Sequence, residues 1–323
     1  MQDYLMDFIK VTQQATISAY PWIGKNDKMA ADDAATTSMR EQLNLINMDG
    51  VIKIGEGEMD EAPMLYIGEK VGTGNGPEID IAVDPIDGTN LVAANEDSAI
   101  AVIAAAEKDS LLHAPDMYMK KIAVGPKAVG KINIDAPLKE NMRAVAEAQG
   151  KSVSDLTIIV QNRPRHQEII DEIHSVGATV KLFTDVDITA VIATCIEEVD
   201  VDMLVGIGGA PEGVMSAVAL KCLGGDFQGQ LKPHDDSEYN RCVEMGIADP
   251  DRILLMDDIV SSDTCFFVAT GITSGILVDG VSKENGRIQT HTFYTNSQDG
   301  SYHFLKTLEN GMQRMDMAQR VFG

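Results

Sequence analysis

The stretch IDIAVDPIDGTN, Ile79 to Asn90, decides the reading. It begins as a strand, with Asp80 set among apolar residues, and runs from Val83 straight into Asp84-Pro85. Asp84 and Asp87 stand three positions apart across a proline that fixes one backbone angle, so one turn aims both carboxylates at the same point. Asp-Pro and Asp-Gly are also habitual turn formers, which would account for the motif if it stood alone. Two convergent carboxylates at a strand end call for a cation. Hard oxygen ligands without His or Cys select Mg²⁺ or Mn²⁺ rather than zinc.

Further acids sit at strand ends on either side. Gly55-Glu56-Gly57-Glu58 follows the strand-like run Val51 to Ile54, and Gly208-Gly209-Ala210-Pro211-Glu212 follows another from Val201 to Val205. Pro211 suits the first turn of a helix, whose partial positive charge favours an anion or a ligated phosphate, although Glu212 could simply cap that helix. Arg163 and Arg165 flank Pro164 and form one of the few basic clusters; their forked donors suit a phosphate, or a surface ion pair.

Helical spacing of Leu5, Phe8, Ile9 and Thr12, and again of Ala35, Met39, Leu43 and Ile46, predicts two leading amphipathic helices, the second capped by Asn26 or Asp27. Strands are expected at Ala99 to Ala105, Ile122 to Val124 and Lys131 to Ile134, then a helix from Leu138 to Gln149, which closes a first domain at residues 1–150. In residues 151–323, strands (156–160, 179–183, 201–205) alternate with helices (166–176, 188–195, 213–223), a rhythm that favours a mostly parallel sheet. The tail should hold short strands and a final helix from about Phe304.

A formal charge of -24 opposes nucleic acid and anionic lipid, which need a basic face. The longest apolar run, Ala99 to Ala106, is far short of the roughly 20 residues that span a bilayer, and Asp3 and Asp7 stand where a signal peptide would be positive, so a cytoplasmic protein is expected. The four cysteines form no CxxC pair and read as reduced thiols. The six histidines form no zinc pattern, and neither a GxSxG elbow nor a GxxxxGK[ST] loop occurs. The 17 methionines read as core filling.

D-P-I-D-G-T is the signature of the lithium-sensitive, metal-dependent phosphatase superfamily. With Asn26-Asp27-Lys28 and Asp32, IGEGEMDEAPMLYIGEKVGTG (Ile54 to Gly74), APDMYM (Ala114 to Met119), RPRH (Arg163 to His166) and GIGGAPEG (Gly206 to Gly213), the chain resembles class II fructose-1,6-bisphosphatases from about Lys10 to Gly286. The resemblance implies the α/β sugar-phosphatase fold, an α-β-α-β-α sandwich of two domains, and a homo-oligomer, dimer or tetramer. It makes Asp32, Glu56, Asp84, Asp87 and Glu212 the metal carboxylates, with the Ile86 carbonyl as a further ligand. Asp32 rather than Asp33 keeps the family's offset from Lys28, while Asp87 stands where some members carry Glu. Tyr118, Arg163 and Arg165 would bind the distal phosphate, Asp185 and Asp187 the sugar hydroxyls, and Lys28, Gly88, Thr89 and Gly209 other parts of the substrate.

Thr89 would orient the attacking water and hydrogen-bond Asp32 or Glu56. Lys28 could instead be solvated, and His166 reads as structural. The implied reaction is the gluconeogenic hydrolysis of fructose 1,6-bisphosphate. Sedoheptulose 1,7-bisphosphate is a second substrate to consider, and inositol monophosphatase activity is disfavoured by the RPRH block. A non-catalytic metal- or sugar-phosphate-binding regulator would have lost a ligand or the threonine, and neither is lost.

Overall fold

The computed structural model describes residues 2–57 and 64–310. Its helices include α1 (Leu5–Ala19), α2 (Lys28–Leu43), α3 (Thr89–Ala94), α4 (Leu138–Gln149), α5 (Gln167–Ser175), α6 (Asp187–Ala193) and α7 (Ala210–Leu223). The strands are β1 (Asp49–Ile54), β2 (Lys70–Val71), β3 (Glu78–Asp87), β4 (Ile100–Glu107), β5 (Tyr118–Val124), β6 (Thr157–Gln161), β7 (Thr179–Phe183), β8 (Met203–Gly209), β9 (Asp226–Leu231), β10 (Cys265–Gly271), β11 (Ser282–Glu284), β12 (Arg287–Asn296) and β13 (Tyr302–Asn310).

These strands make two sheets. One runs β11-β12-β10-β4-β3-β1-β2 with β13 paired to β12, and the other runs β7-β6-β8-β5-β9. In α1, Phe8, Ile9, Thr12, Ala15 and Thr16 are buried at three- and four-residue spacing, one stripe laid on the first sheet. Asp27 caps α2 by accepting the Ala30 N–H. Helix α7 is buried on almost all sides, as a helix between two sheets must be, and its side chains share one core with those of α1, α2 and α6. The outer face of the second sheet buries Ile122, Ile158, Val160 and Met203 under Met142 and Val145 of α4 and Ile173 of α5. The result is the expected five-layer α-β-α-β-α sandwich.

Phe8 is fully buried edge-on to Phe266 of β10, ring centroids 4.8 Å apart. Phe8→Ala is expected to destabilise the fold by about 3 kcal/mol or more, read from the denaturant midpoint.

Three expectations need correction. Lys131 to Ile134 is not a strand: the Gln228 side chain takes the place of a partner strand, accepting the Ile134 N–H at 2.9 Å and donating to the Ile132 carbonyl at 2.9 Å. Residues 304–310 belong to β13, antiparallel to β12, because Phe293 of β12 packs on Phe304 and Tyr302; the rest of the expected final helix lies outside the described residues. The second sheet is mixed rather than mostly parallel. Strand β6 is parallel to β7 and β8, but β5 enters between β8 and β9, antiparallel to both. Sheet membership also crosses residue 150 in both directions, since β5 lies in the second sheet and β10 to β13 return to the first.

Candidate active site

Strand β3 lies between β1 and β4, parallel to the first and antiparallel to the second. Its register with β4 shifts between Asp84 and Asp87, so a bulge re-aims the strand where the two acids emerge. Asp84 Oδ1 accepts the Ile86 N–H at 2.9 Å, closing the turn that the proline begins. Gly88 then takes a left-handed conformation and α3 starts at Thr89. Glu56 arrives just past β1, where its N–H donates to the Leu65 carbonyl; Glu58 lies outside the described residues. Asp32 comes from the second turn of α2, and Glu212 from the first turn of α7, behind Pro211.

Electrostatics shows that these acids share one neighbourhood. Burial pushes the Asp84 carboxyl up to about 8, helped by the charges of Glu212 and Asp32 and opposed by the Ile86 N–H. Burial likewise holds Asp87 well above the usual range, with Asp84, Glu212 and Asp187 adding to the rise and Lys121 opposing it. Glu56 is raised by burial, Asp84 and Asp32. Glu212 is raised by burial, against Lys121, with Asp187 and Asp116 adding to it. Asp32 is raised by burial and by Asp33.

Among the described residues, no three His, Cys, Asp or Glu side chains stand close enough to hold a metal ion as they are. The donor chemistry nevertheless fits a hard divalent cation. All five acids offer oxygen, and Asp87 Oδ2 and Glu212 Oε2 are buried without a hydrogen-bond partner among the described residues, a cost that a cation would remove. Gly209 leaves room for Glu212: a Cβ there would meet Glu212 Oε2 at 1.9 Å.

The expected substrate residues fall into two groups. Arg165 lies over the Tyr118 ring, Cζ 5.0 Å from its centroid, and donates to the Ile207 carbonyl and Gln161 Oε1. Tyr118 faces Gly209 across the β5–β8 pairing. Arg163 is ion-paired with Asp185. His166 fastens this rim to β8, since its Nε2 accepts the Ile207 N–H at 2.8 Å, which leaves Nδ1 to donate to the Gln161 carbonyl at 2.7 Å. Burial lowers its basicity further, in keeping with a structural role.

Asp187 belongs with the acids, bonded to Lys121 at 2.6 Å. Between Asp185 and Asp187, buried Val186 has a φ of 64°, a costly conformation for a β-branched residue, and there the chain passes from the arginine rim to the acid cluster. Thr89 Oγ1 donates to the Ile86 carbonyl at 3.2 Å rather than to Asp32 or Glu56. Lys28 is exposed at the start of α2. A cavity of about 410 Å³ opens beside the rim, sharing Asp185 and lined also by Lys181, Phe183 and Thr189.

Lys121 and Asp116 were not singled out from the sequence. Lys121 does carry a signal, because the alternation Met119, Lys121, Ala123 places it on an inward face of β5.

A five-layer α/β fold that gathers carboxylates at its strand ends, beside an arginine rim, defines a phosphoric ester hydrolase. The chain matches the family model for bacterial fructose-1,6-bisphosphatase, glpX-encoded, over residues 2–309, and it belongs to that family. It is 46% identical to the Haemophilus influenzae fructose-1,6-bisphosphatase class 2, over 89% of this chain and 90% of that protein. It is 44% identical to the Escherichia coli fructose-1,6-bisphosphatase 1 class 2, over 97% of this chain and 98% of that protein. Among solved structures, an extragenic suppressor from Pyrococcus furiosus covers 59% of this chain and 70% of its own at 15% identity and a TM-score of 0.33, too loose a likeness to carry an argument.

Proposed function

We propose that the chain hydrolyses fructose 1,6-bisphosphate to fructose 6-phosphate and orthophosphate with Mg²⁺ or Mn²⁺ held by Asp32, Glu56, Asp84, Asp87 and Glu212. The observation that carries this reading is the meeting of two unlike surfaces at the ends of β5 and β8, the acid cluster and the Tyr118–Arg165 stack. A bisphosphate needs both, one to react and one to anchor. When bound, the cation neutralises phosphoryl charge and lowers the pKa of water.

The chain's own groups do the rest. The Thr89 hydroxyl spends its proton on the Ile86 carbonyl, which leaves its lone pairs to accept from a water and orient it. Asp187 reaches a sugar hydroxyl. Arg163 exchanges Asp185 for the distal phosphate, and Arg165 anchors that phosphate from its place over Tyr118. Among the described residues no helix is long and apolar enough to cross a membrane. A cytoplasmic homo-oligomer belongs to the same reading, as does activity on sedoheptulose 1,7-bisphosphate.

Phosphate release from fructose 1,6-bisphosphate, sedoheptulose 1,7-bisphosphate and inositol 1-phosphate, with Mg²⁺ or Mn²⁺, tests the assignment. The fructose substrate should turn over and inositol 1-phosphate should not. Arg165→Ala should raise KM for the bisphosphate about tenfold or more with little change in kcat, because a distal anchor binds ground and transition states alike. Equal activity on inositol 1-phosphate would sink the bisphosphate reading.

A further inference from the structure

Lys121 is only 1% exposed in a chain whose other active-site cations lie at the surface. A buried ammonium is costly unless paired, and among the described residues this one is ion-paired with Asp187 alone, Nζ to Oδ2 at 2.6 Å. The fold clears a passage for it. A Cβ on Gly213 would meet Lys121 Cε at 3.3 Å, and one on Gly208 would meet Lys121 Nζ at 3.2 Å and Asp187 Oδ2 at 2.3 Å. Two backbone positions are thus bare where this side chain runs.

The other end of the pair is equally determined. Asp187 is the first residue of α6 and follows the left-handed Val186, so its backbone is set by a strained turn. With Oδ2 on the ammonium, Asp187 Oδ1 remains buried without a hydrogen-bond partner among the described residues, as do Asp87 Oδ2 and Glu212 Oε2 nearby. Among the described residues, Lys121 is the cation that opposes the accumulated negative charge at both Asp87 and Glu212.

Resting on the hydrolase reading, we infer that Lys121 is a positioning residue of the reaction: it fixes Asp187 by one oxygen so that the other meets a substrate hydroxyl, and it is a built-in positive charge beneath the metal-binding carboxylates. The two roles predict opposite changes when the charge is removed. Losing the grip on Asp187 slows the reaction, whereas losing a like charge beside a dication tightens metal binding.

The test is Lys121→Met, which keeps the length and bulk of the chain. Calorimetric titration of the protein with Mn²⁺ alone should give about tenfold tighter binding, while kcat for fructose 1,6-bisphosphate at saturating Mn²⁺ falls about thirtyfold or more. A lysine that merely fills the core would lower the melting temperature and leave both Mn²⁺ affinity and kcat of the folded enzyme in place, which overturns the inference. Gly208→Ala separates the roles and serves if Lys121→Met does not fold. Its Cβ forces Asp187 from the ammonium without changing any charge, so kcat should fall while Mn²⁺ affinity stays within about threefold; an unchanged kcat overturns the positioning role. If the wild type releases phosphate from no sugar bisphosphate, the hydrolase reading fails by itself, and the Mn²⁺ titration still decides whether Lys121 charges the site.

Discussion

Asp84→Asn is expected to lower kcat for fructose 1,6-bisphosphate about a thousandfold, with the fold intact. The substitution keeps size and one hydrogen-bond acceptor, so the turn closed by the Ile86 N–H survives. What disappears is one negative charge at the point where β3 bulges between the other acids. Asp84 raises the carboxyls of both Glu56 and Asp87, so it is the acid through which the β1 side and the β3 side of the cluster feel one another. A divalent cation held by hard oxygens loses most of its binding when a charged ligand is replaced by a neutral amide, and hydrolysis loses the charge neutralisation with it. Steady-state phosphate release checks the result, alongside circular dichroism to confirm folding. A variant that keeps more than about a tenth of wild-type kcat at saturating metal would exclude Asp84 from the metal set.

Much of this site was legible because its chemistry is local. The Asp84-Pro85-Ile86-Asp87-Gly88-Thr89 turn carries its own geometry, and each flanking acid follows a short hydrophobic run with a glycine or proline beside it. Helices α1, α2 and α4 and strand β7 were legible for the same reason, since their patterns are complete within the segment.

What could not be read depends on partners far along the chain. Ile132 and Ile134 look like a strand, yet their backbone is satisfied by the side chain of Gln228, 94 residues beyond Ile134, and no periodicity announces that. Phe304 and Leu308 repeat at helical spacing, but the segment pairs with β12, where alternate residues matter instead. The insertion of β5 beside β8 turns a sheet that the β-α-β rhythm made parallel into a mixed one. That same insertion brings Lys121 to Asp187, so a lysine that reads as ordinary in MYMKKIAV acquires its place only through tertiary pairing.

Without metal, the protein should lose stability as pH rises from about 5 to about 8.5, and Mn²⁺ should restore it. The sign follows from the direction of the shifts. Asp32, Glu56, Asp84, Asp87 and Glu212 all have folded-state pKa values above their ordinary range, Asp84 at about 8. Between the ordinary carboxylate pKa near 4 and these raised values, the folded chain holds more protons than the unfolded one, so stability falls with pH through that window, the Asp84 share of the loss being complete a little above 8. Asp84 alone, raised from 3.8 to about 8, should cost on the order of 5 kcal/mol across it, a drop in melting temperature of roughly 5–10 °C for a chain of this size. A bound dication supplies the missing opposite charge, so with saturating Mn²⁺ the carboxylates ionise without penalty and the melting temperature should stay nearly flat. The formal charge of -24 also makes the folded chain repel itself more as acids ionise, but that repulsion is spread over the surface and yields to salt, whereas the buried cluster does not. Melting curves from pH 5 to 9 in 0.3 M NaCl, after chelation and with Mn²⁺ added back, decide the matter. Asp84→Asn should remove a large share of the metal-free slope. A slope equal in wild type and Asp84→Asn, unaffected by Mn²⁺, would place the pH dependence elsewhere in the molecule.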